Sequence, residues 1–400
     1  ASPLAAPAVA ASLLACVVAY CAVLGAGGLY ILKLMAKPPA QRYQSGKELS
    51  EALVKVLAEL DETARESDKP RIIPLRVKWA LMMSLIVAVV MGITAAVITQ
   101  RQYAAMMAQV SDYGASLARF IAAQNAAQGF VTSQFELDKY KTKDKKDKSV
   151  NKLVLCIDGA TASDLKNGLN RGQVVGESMN FTRDLANEPP NILTPTEMAN
   201  RAQSMAKEAG LKCEVLDEAK MEKLGMGSLL SVSRGSTQPA KLIVLRYTPA
   251  KNTGKKGELL ALVGKGITFD TGGISLKPGD GMDAMKSDMS GGATVLGTMR
   301  AIALLKPTVP VLGIVAAVEN MPDGNASRPS DVVMASNGKT IEILNTDAEG
   351  RLILADSVAY AEKQGATSIV DMATLTGAVI IALGDQNTGI MGNDQELVDR

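Results

Sequence analysis

The first hundred residues are dominated by two long apolar runs. Residues 1–32 have no charge, and the apolar pattern extends from about residue 8 to residue 35. A second, uncharged run covers residues 79–100, with Arg76 and Lys78 before it and Arg101 after it. Since roughly 20 apolar residues can cross a hydrocarbon core of about 30 Å, the pattern predicts transmembrane helices at about 8–35 and 79–100. Both lie within a hydrophobic N-terminal region of residues 1–130.

Basic residues are concentrated in the segment that joins the two predicted transmembrane helices. They are Lys33, Lys37, Arg42, Arg71, Arg76 and Lys78. Because cytoplasmic loops are enriched in lysine and arginine, the joining segment is predicted to be cytoplasmic. Everything after residue 101 would then lie on the other side of the membrane.

The hydrophobic pattern changes from about residue 150, where short apolar runs alternate with segments of helical periodicity. Strands are predicted at residues 152–158, 212–217, 241–247, 259–265, 309–319 and 368–374, and helices at 172–187, 194–210, 283–305 and 350–365. Such alternation predicts an α/β domain with a largely parallel or mixed sheet flanked by helices. The lysine-rich segment at 138–148 is interpreted as a solvated linker, because no aromatic platform accompanies it as in a nucleic-acid site.

The amino-acid composition excludes more classes of mechanism than the net charge does. The net charge of +2 gives no reason to expect a nucleic acid or an acidic partner. The chain contains no histidine, which excludes a Ser-His-Asp triad, a Cys-His pair and any histidine-ligated metal within it. Its four cysteines form no C-x-x-C pair, so a cysteine metal site is not indicated. Acid and base chemistry must fall to carboxylates, lysines, bound water or a bound anion.

Six charged residues follow the ends of strand-like segments at 259–265 and 339–344. They are Lys265, Asp270, Lys277, Asp288, Asp347 and Glu349. The last two stand two positions apart in the octapeptide NTDAEGRL. In α/β sheets ligands bind at the carboxyl ends of the strands, so these side chains are expected to share one crevice.

Four carboxylates in one crevice would repel each other strongly, so protons or cations must neutralise them. Two divalent ions bridged by carboxylates would do this and would place a hydroxide for attack on a carbonyl. Lysine is an unusual metal ligand, but burial beside dications can lower its pKa enough for the neutral amine to bind. Taken singly, an aspartate such as Asp270 or Asp288 is more often a helix cap or a surface acid than a metal ligand.

Two separate motifs resemble one known family. The block VGKGITFDTGG…LKP…MDAMKSDMSGGA and the octapeptide NTDAEGRL, together with MATLTGA, closely resemble the leucyl aminopeptidase (cytosol aminopeptidase) family of dinuclear metallo-exopeptidases. The likeness extends from about residue 135 or 150 to residue 400. It implies a catalytic domain at 171–400, preceded at 131–170 by a linker and the remnant of an N-terminal domain.

The resemblance also implies roles for individual residues. The metal ligands would be Lys265, Asp270, Asp288, Asp347 and Glu349, with Asp270 and Glu349 bridging both ions. Lys277 would polarise the scissile carbonyl, and Arg351 would hold a bicarbonate ion as the general base. The pocket for the first side chain would be lined by Met285, Asn345, Ala348, Thr374, Leu375 and Gly377.

The implied reaction is hydrolysis of the N-terminal residue of a peptide, preferably Leu or another apolar residue, through a metal-bridging hydroxide. The cofactors would be two divalent ions per subunit, either Zn²⁺, Mn²⁺ or Mg²⁺. Relatives in this family are cytoplasmic and form hexamers, so the resemblance implies a cytoplasmic homo-oligomer that binds peptides. The competing interpretations are a membrane-anchored receptor or scaffold with a non-catalytic peptidase-like domain, and a two-metal phosphoesterase.

The sequence departs from the family pattern at both ends. Residues 1–130 do not resemble the family's N-terminal α/β domain, and their pattern resembles the membrane anchor of a bacterial signalling receptor. The chain also stops well before the family's usual end, so the catalytic domain is expected to be truncated at its C-terminus. A membrane-tethered aminopeptidase and an N-terminal region derived from a different gene both stay open.

Overall fold

A mixed five-stranded sheet is built from residues 212–372. The computed structural model describes Val54 and residues 75–136, 138–143, 150–255 and 257–399. The strands in these residues are β1 (Lys212–Leu216), β2 (Lys241–Tyr247), β3 (Leu260–Asp270), β4 (Val311–Asn320), β5 (Val332–Met334), β6 (Thr340–Glu342) and β7 (Ser368–Met372). The sheet order is β1-β2-β4-β3-β7, and β5 pairs separately with β6. β4, β3 and β7 are parallel, whereas β2 is antiparallel to both its neighbours, which confirms the predicted mixed α/β domain.

Helices cover both faces of this sheet. The helices of the described residues are α1 (Leu75–Ser133), α2 (Ala162–Asn187), α3 (Pro195–Ala209), α4 (Glu218–Lys223), α5 (Gly227–Ser233), α6 (Ser290–Leu305), α7 (Glu349–Lys363), α8 (Ala378–Leu383) and α9 (Gln395–Val398). α3 and α6 pack on one face of the sheet, and α5 and α7 on the other. α3 shows how local sequence sets such bounds. The Thr194 hydroxyl accepts the amide hydrogen of Glu197, Pro195 occupies the first turn, and Gly210 ends the helix with a φ of 77°.

Two hydrophobic cores lie on opposite faces of the sheet, because successive strand residues point to opposite sides. Ala261 and Val263 of β3 pack on the face covered by α5 and α7. Leu262 packs on the other face, beneath α3 and α6. A strand buried on both faces is typically apolar at successive positions, which explains the apolar runs at 260–264 in β3 and 311–318 in β4. Full burial of a leucine such as Leu312 stabilises the fold by about 1.5–3 kcal/mol.

The chain divides into two compact units, Ala1–Gly114 and Ala115–Arg400. In the second unit the last part of α1 packs closely on α2. A side-chain carbon added at Gly172 of α2 would lie 2.2 Å from the Gln124 carbonyl oxygen and 2.8 Å from Ala127 Cβ. Gly168 faces Ala123 in the same way. Small residues on both helices therefore allow the two backbones to approach.

In the first unit the described part of α1 is strongly apolar. Among the described residues, α1 is the one helix long and apolar enough to cross a membrane, by length and composition. It contains the predicted span at 79–100. The predicted span at 8–35 lies outside the described residues.

Two sequence predictions are wrong. Residues 152–158 form an irregular loop, not a strand, and none of the described strands pairs with them. Leu153 and Val154 are exposed, by 45% and 69%, and Leu155 and Ile157 are half-buried, so the apolar run has no partner among the described strands and is not in the core. The helix predicted at 283–305 begins at Ser290, after a 3-10 turn at Met282–Ser287. Asp288 lies between the 3-10 turn and the helix, and its side chain is buried.

Candidate metal centre

A β-bulge in β3 brings two predicted site residues to the same face of the sheet. The pairing of β3 with β4 shifts by one residue between Ile267 and Phe269. Strand residues alternate between faces, so without the shift Lys265 and Asp270 would point to opposite sides. The extra residue returns Asp270 to the side of Lys265. α7, which begins at Glu349, packs on that same side.

Lys265 lies between two of the predicted carboxylate ligands. Its ammonium nitrogen is 2.9 Å from Asp288 Oδ2 and 2.7 Å from Glu349 Oε1. It also donates to the carbonyl oxygen of Thr374 at 3.0 Å. The Lys265 side chain is 3% exposed, so this half of the site is closed to bulk water.

Lys277 occupies the equivalent position between the other two carboxylates. Its ammonium lies 2.8 Å from Asp270 Oδ2 and contacts Asp347 Oδ1. The loop after β3 folds back to place it there, through Gly272 and Gly273 with φ values of 87° and 66°. A side chain at Gly272 would lie 2.5 Å from the Ser275 carbonyl oxygen, so both backbone angle and space require glycine. The Lys277 side chain is 21% exposed, so this half of the site is more open than the half at Lys265.

The charges of the cluster do not balance within the described residues. Four carboxylates, Asp270, Asp288, Asp347 and Glu349, face two lysine ammonium groups. Burial raises the pKa of Asp288 to about 7, against the attraction of Lys265. Burial also raises the pKa of Glu349, and the nearby charge of Asp270 adds to it. The excess of buried negative charge therefore favours uptake of protons or cations.

The arrangement fits divalent cations. One carboxylate oxygen each from Asp270, Asp347 and Glu349 lies within 4.8 Å of the others. Glu349 Oε2 is buried and has no hydrogen-bond partner among the described residues. A buried carboxylate oxygen without a partner is costly, and a bound cation would remove that cost. Carboxylate oxygens are also ligands that Mn²⁺ and Mg²⁺ prefer.

The structure brings several of the predicted pocket residues to this cluster. The Thr374 hydroxyl donates to Asp288 Oδ1 at 2.7 Å. Leu375 and the aliphatic part of Lys265 both lie close to Gly350. A side-chain carbon added at Gly350 would be 3.0 Å from Leu375 Cδ1 and 3.0 Å from Lys265 Cδ. Asn345 accepts the amide hydrogen of Asp347 at 2.9 Å.

Of the other predicted site residues, two make backbone hydrogen bonds near the cluster, and two make no hydrogen bond or ion pair with its carboxylates in the part of the chain that the structure describes. Ala348 donates its amide hydrogen to the Asn345 carbonyl, and the Met285 carbonyl accepts from the amide of Asp288. Arg351 is exposed on the first turn of α7. Within the described residues, Arg351 and Gly377 make no hydrogen bond or ion pair with the four carboxylates.

Two polar residues at the site were not predicted from the sequence. Asn320, the last residue of β4, donates to Asp270 Oδ1 at 2.8 Å. The Thr346 hydroxyl donates to the Gly272 carbonyl at 2.7 Å. Asn320 could have been found, because it ends the strand beside β3 and carboxyl ends of parallel strands meet at one edge of a sheet.

The matching family and two similar proteins are all described as cytosol aminopeptidases. Residues 180–400 match the family described as the cytosol aminopeptidase family, catalytic domain. The chain is 56% identical over 278 residues to the probable cytosol aminopeptidase of Solibacter usitatus, covering 70% of this chain and 57% of that protein. It is 51% identical over 265 residues to the cytosol aminopeptidase of Pseudomonas aeruginosa, covering 66% and 53%.

A solved structure is also similar. It is the bottromycin maturation enzyme BotP in complex with Mn, with a TM-score of 0.58 and 37% sequence identity. The alignment covers 66% of this chain and 54% of that one. The chain thus spans little more than half the length of the proteins it matches.

Proposed function

Since the chain belongs to the cytosol aminopeptidase family, we propose that it is a metal-dependent aminopeptidase that removes the N-terminal residue from peptides. One observation is the main support. Four carboxylates and two lysines converge at the carboxyl ends of β3 and β4, where Glu349 Oε2 is buried without a hydrogen-bond partner. The excess of negative charge and the oxygen without a partner favour binding of cations at this site.

We assign two divalent ions to five residues. Asp270 and Glu349 would be shared by both ions, Lys265 and Asp288 would complete one site, and Asp347 the other. The ions would be Zn²⁺, Mn²⁺ or Mg²⁺, as the oxygen-rich ligand set allows. When bound, they would supply Lewis-acid chemistry, activating water as a nucleophile and polarising a peptide carbonyl.

Lys265 and Lys277 differ in exposure, and this difference suggests different roles for them. The Lys265 side chain is 3% exposed, which leaves little room for a peptide to contact it, whereas the Lys277 side chain is 21% exposed. Burial alone would lower the pKa of Lys277, but its hydrogen bonds to Asp270 and Asp347 raise it above the ordinary range. We therefore propose that Lys277 stays charged and donates a hydrogen bond to the carbonyl oxygen of the bond being cleaved.

The proposed reaction needs a group that accepts and donates a proton, and the chain has no histidine for this role. Arg351 lies two residues after Glu349 and its side chain is exposed, so its guanidinium is free to bind a small anion. We propose that it holds bicarbonate, which would act as the general base.

The first side chain of the substrate would contact the proposed pocket of Met285, Asn345, Ala348, Thr374, Leu375 and Gly377. Leu375 presents an apolar side chain, 45% exposed, next to Lys265. An apolar wall favours Leu or a similar residue, with about 1–3 kcal/mol of discrimination per methylene group. A free α-amino group would bind at Asp288, which makes a blocked N-terminus unfavourable.

Removal and return of metal tests the proposal. Protein stripped with EDTA is expected to be inactive on leucine p-nitroanilide and to regain activity with Mn²⁺ or Zn²⁺. The N-acetylated substrate, with no free amino group, is expected to resist and serves as the control. If the metal-loaded protein hydrolyses neither compound but binds peptides, a non-catalytic peptidase-like domain is the better description. Preferential hydrolysis of a phosphate ester would favour a phosphoesterase instead.

We further propose that residues 79–100 cross a lipid bilayer. Leu85, Ile86 and Val87 are consecutive in α1 and all about half exposed or more, so the apolar surface is not confined to one face. Twenty-two residues at about 1.5 Å each match a hydrocarbon core of roughly 30 Å. A domain at 171–400, a linker at 131–170 and hexamer formation all stay predictions. A cytoplasmic location for the domain also stays a prediction, and it conflicts with the basic residues before residue 79, which predict that everything after residue 101 lies on the other side of the membrane.

Membrane extraction tests this span separately from the first predicted one. A variant beginning at residue 61 is expected to stay in the membrane pellet after an alkaline carbonate wash. The same variant with Val89→Arg and Val90→Arg is expected to be released, since each central arginine costs about 2.5–3.5 kcal/mol. Thr99→Arg, at the end of the run, is the control and should stay in the pellet. Release of the parent variant would contradict the proposal.

A further inference from the structure

Asn320 lies where the two carboxylate-bearing segments meet. It is the last residue of β4, pairs in register with Asp270 of β3, and is 4% exposed. The other segment is the 3-10 turn Thr346–Ala348, which leads into Glu349.

The amide nitrogen of Asn320 joins both segments at once. Nδ2 donates to Asp270 Oδ1 at 2.8 Å and to the Thr346 carbonyl oxygen at 3.0 Å. An amide nitrogen has two hydrogens, and these two acceptors use both. The backbone carbonyl of Asn320 also accepts from the amide and the hydroxyl of Thr271 at 3.0 and 2.8 Å. The residue thus ties β3, the loop after it and the turn before α7 to one point.

These contacts determine which oxygen of Asp270 is available. Oδ1 accepts from Asn320 Nδ2 and from the Gly272 amide, so it is already satisfied by two donors. Oδ2 points at Lys277 and into the cluster. The bond to Thr346 at the same time holds the turn that presents Asp347 and Glu349. The distance between Asp270 and the other two carboxylates therefore depends on the Asn320 amide.

We propose that Asn320 is a positioning residue that sets the spacing of the carboxylates and so their affinity for divalent ions. This inference rests on the proposed function, since it assumes that the cluster binds metal. Groups that orient metal ligands by hydrogen bonds typically change metal affinity by about 10–100-fold when removed. Asn320 is expected to act in this range without touching substrate.

Direct metal binding tests the inference. The full chain, stripped with EDTA, is titrated with Mn²⁺ alone by calorimetry. Asn320→Ala and Asn320→Leu remove the donor, and the leucine keeps a side chain of similar volume. Both leave the Gly272 amide on Asp270 Oδ1, and circular dichroism establishes that they fold. Asn325→Ala and Asn325→Leu, at an exposed asparagine in the loop after β4, are the matched controls.

The Asn320 variants are expected to bind Mn²⁺ about 10–100-fold more weakly than the wild type, with the Asn325 variants within about twofold. The Mn²⁺ concentration for half-maximal hydrolysis should rise by the same factor, and excess Mn²⁺ should restore kcat. A residue that only supports the fold would lower thermal stability without this shift. Unchanged affinity in either folded variant overturns the inference. If the wild type binds no Mn²⁺, the proposed function itself fails.

Discussion

Replacing Glu349 by glutamine is expected to reduce kcat/KM for leucine p-nitroanilide by at least about 10³-fold. The substitution keeps the volume of a side chain that is 2% exposed, but removes the charge that faces Lys265 and the oxygen without a partner. In the proposed site Glu349 would serve both ions, and Lewis-acid stabilisation of several kcal/mol corresponds to about this factor. Steady-state kinetics at saturating Mn²⁺ and the metal content of the purified variant are the measurements. We expect fewer than two ions per chain.

Glu342→Gln is the matched control for this change. Glu342 lies on β6, seven residues before Glu349, and is exposed. Its replacement is expected to leave both the metal content and kcat/KM within about twofold, as is usual for a surface site. Full metal content together with near-normal activity in Glu349→Gln would contradict the assigned role of Glu349.

The sheet was largely predictable because β3 and β4 are buried on both faces. Such strands are typically apolar at successive positions, and this leaves a signal in the sequence that does not depend on distant partners. The segment 152–158 shows the limit of that signal. Its run KLVLCID has the same local pattern, but a strand also needs a neighbour that accepts and donates backbone hydrogen bonds. Since none of the described strands pairs with it, the local pattern alone gave a wrong prediction.

The types of residues at the site were also predictable, whereas their arrangement was not. NTDAEGRL and the block around Asp270 indicated a cluster of carboxylates. The one-residue bulge that turns Asp270 to the side of Lys265 has no signature in the sequence, because it depends on the pairing with β4. Asn320 differs from the bulge, because its place at the end of a predicted strand could have indicated it, but its bond to Asp270, 50 positions away, depends on the pairing of β3 with β4.

The lysine-rich segment at 138–148 illustrates a different difficulty. A run of charges is usually solvated, and that was the interpretation from sequence. In the described part of the segment, however, Lys139 contacts Glu188 Oε1 and the Tyr140 hydroxyl donates to Glu188 Oε2 at 2.5 Å. Glu188 is 3% exposed and directly follows α2. A buried acid needs partners, and only the folded chain shows which basic segment supplies them.

Replacing Lys277 by methionine is expected to reduce kcat by about 10²–10³-fold, the usual effect of removing one donor to a developing oxyanion. Metal binding should respond differently. Lys277 competes with cations for Asp270 and Asp347, so loss of its ammonium leaves these carboxylates free for metal. The variant is therefore expected to keep at least the wild-type affinity for Mn²⁺, measured by calorimetry, with a KM changed less than kcat. Glu349→Gln, in contrast, should lose metal and activity together.

Lys339→Met is the matched control, since Lys339 is an exposed lysine close to β6 whose replacement should change neither kcat nor Mn²⁺ affinity. The comparison of Lys277→Met with Glu349→Gln separates two explanations of lost activity. If Lys277 only neutralised the carboxylates, its removal would weaken the fold of the metal-free protein, and saturating Mn²⁺ would restore kcat fully. If it stabilises the oxyanion, as proposed, the deficit in kcat persists at every Mn²⁺ concentration because no ion replaces a donor on the substrate side. Full recovery with Mn²⁺ would refute the catalytic role and leave Lys277 as a counter-ion of the empty site.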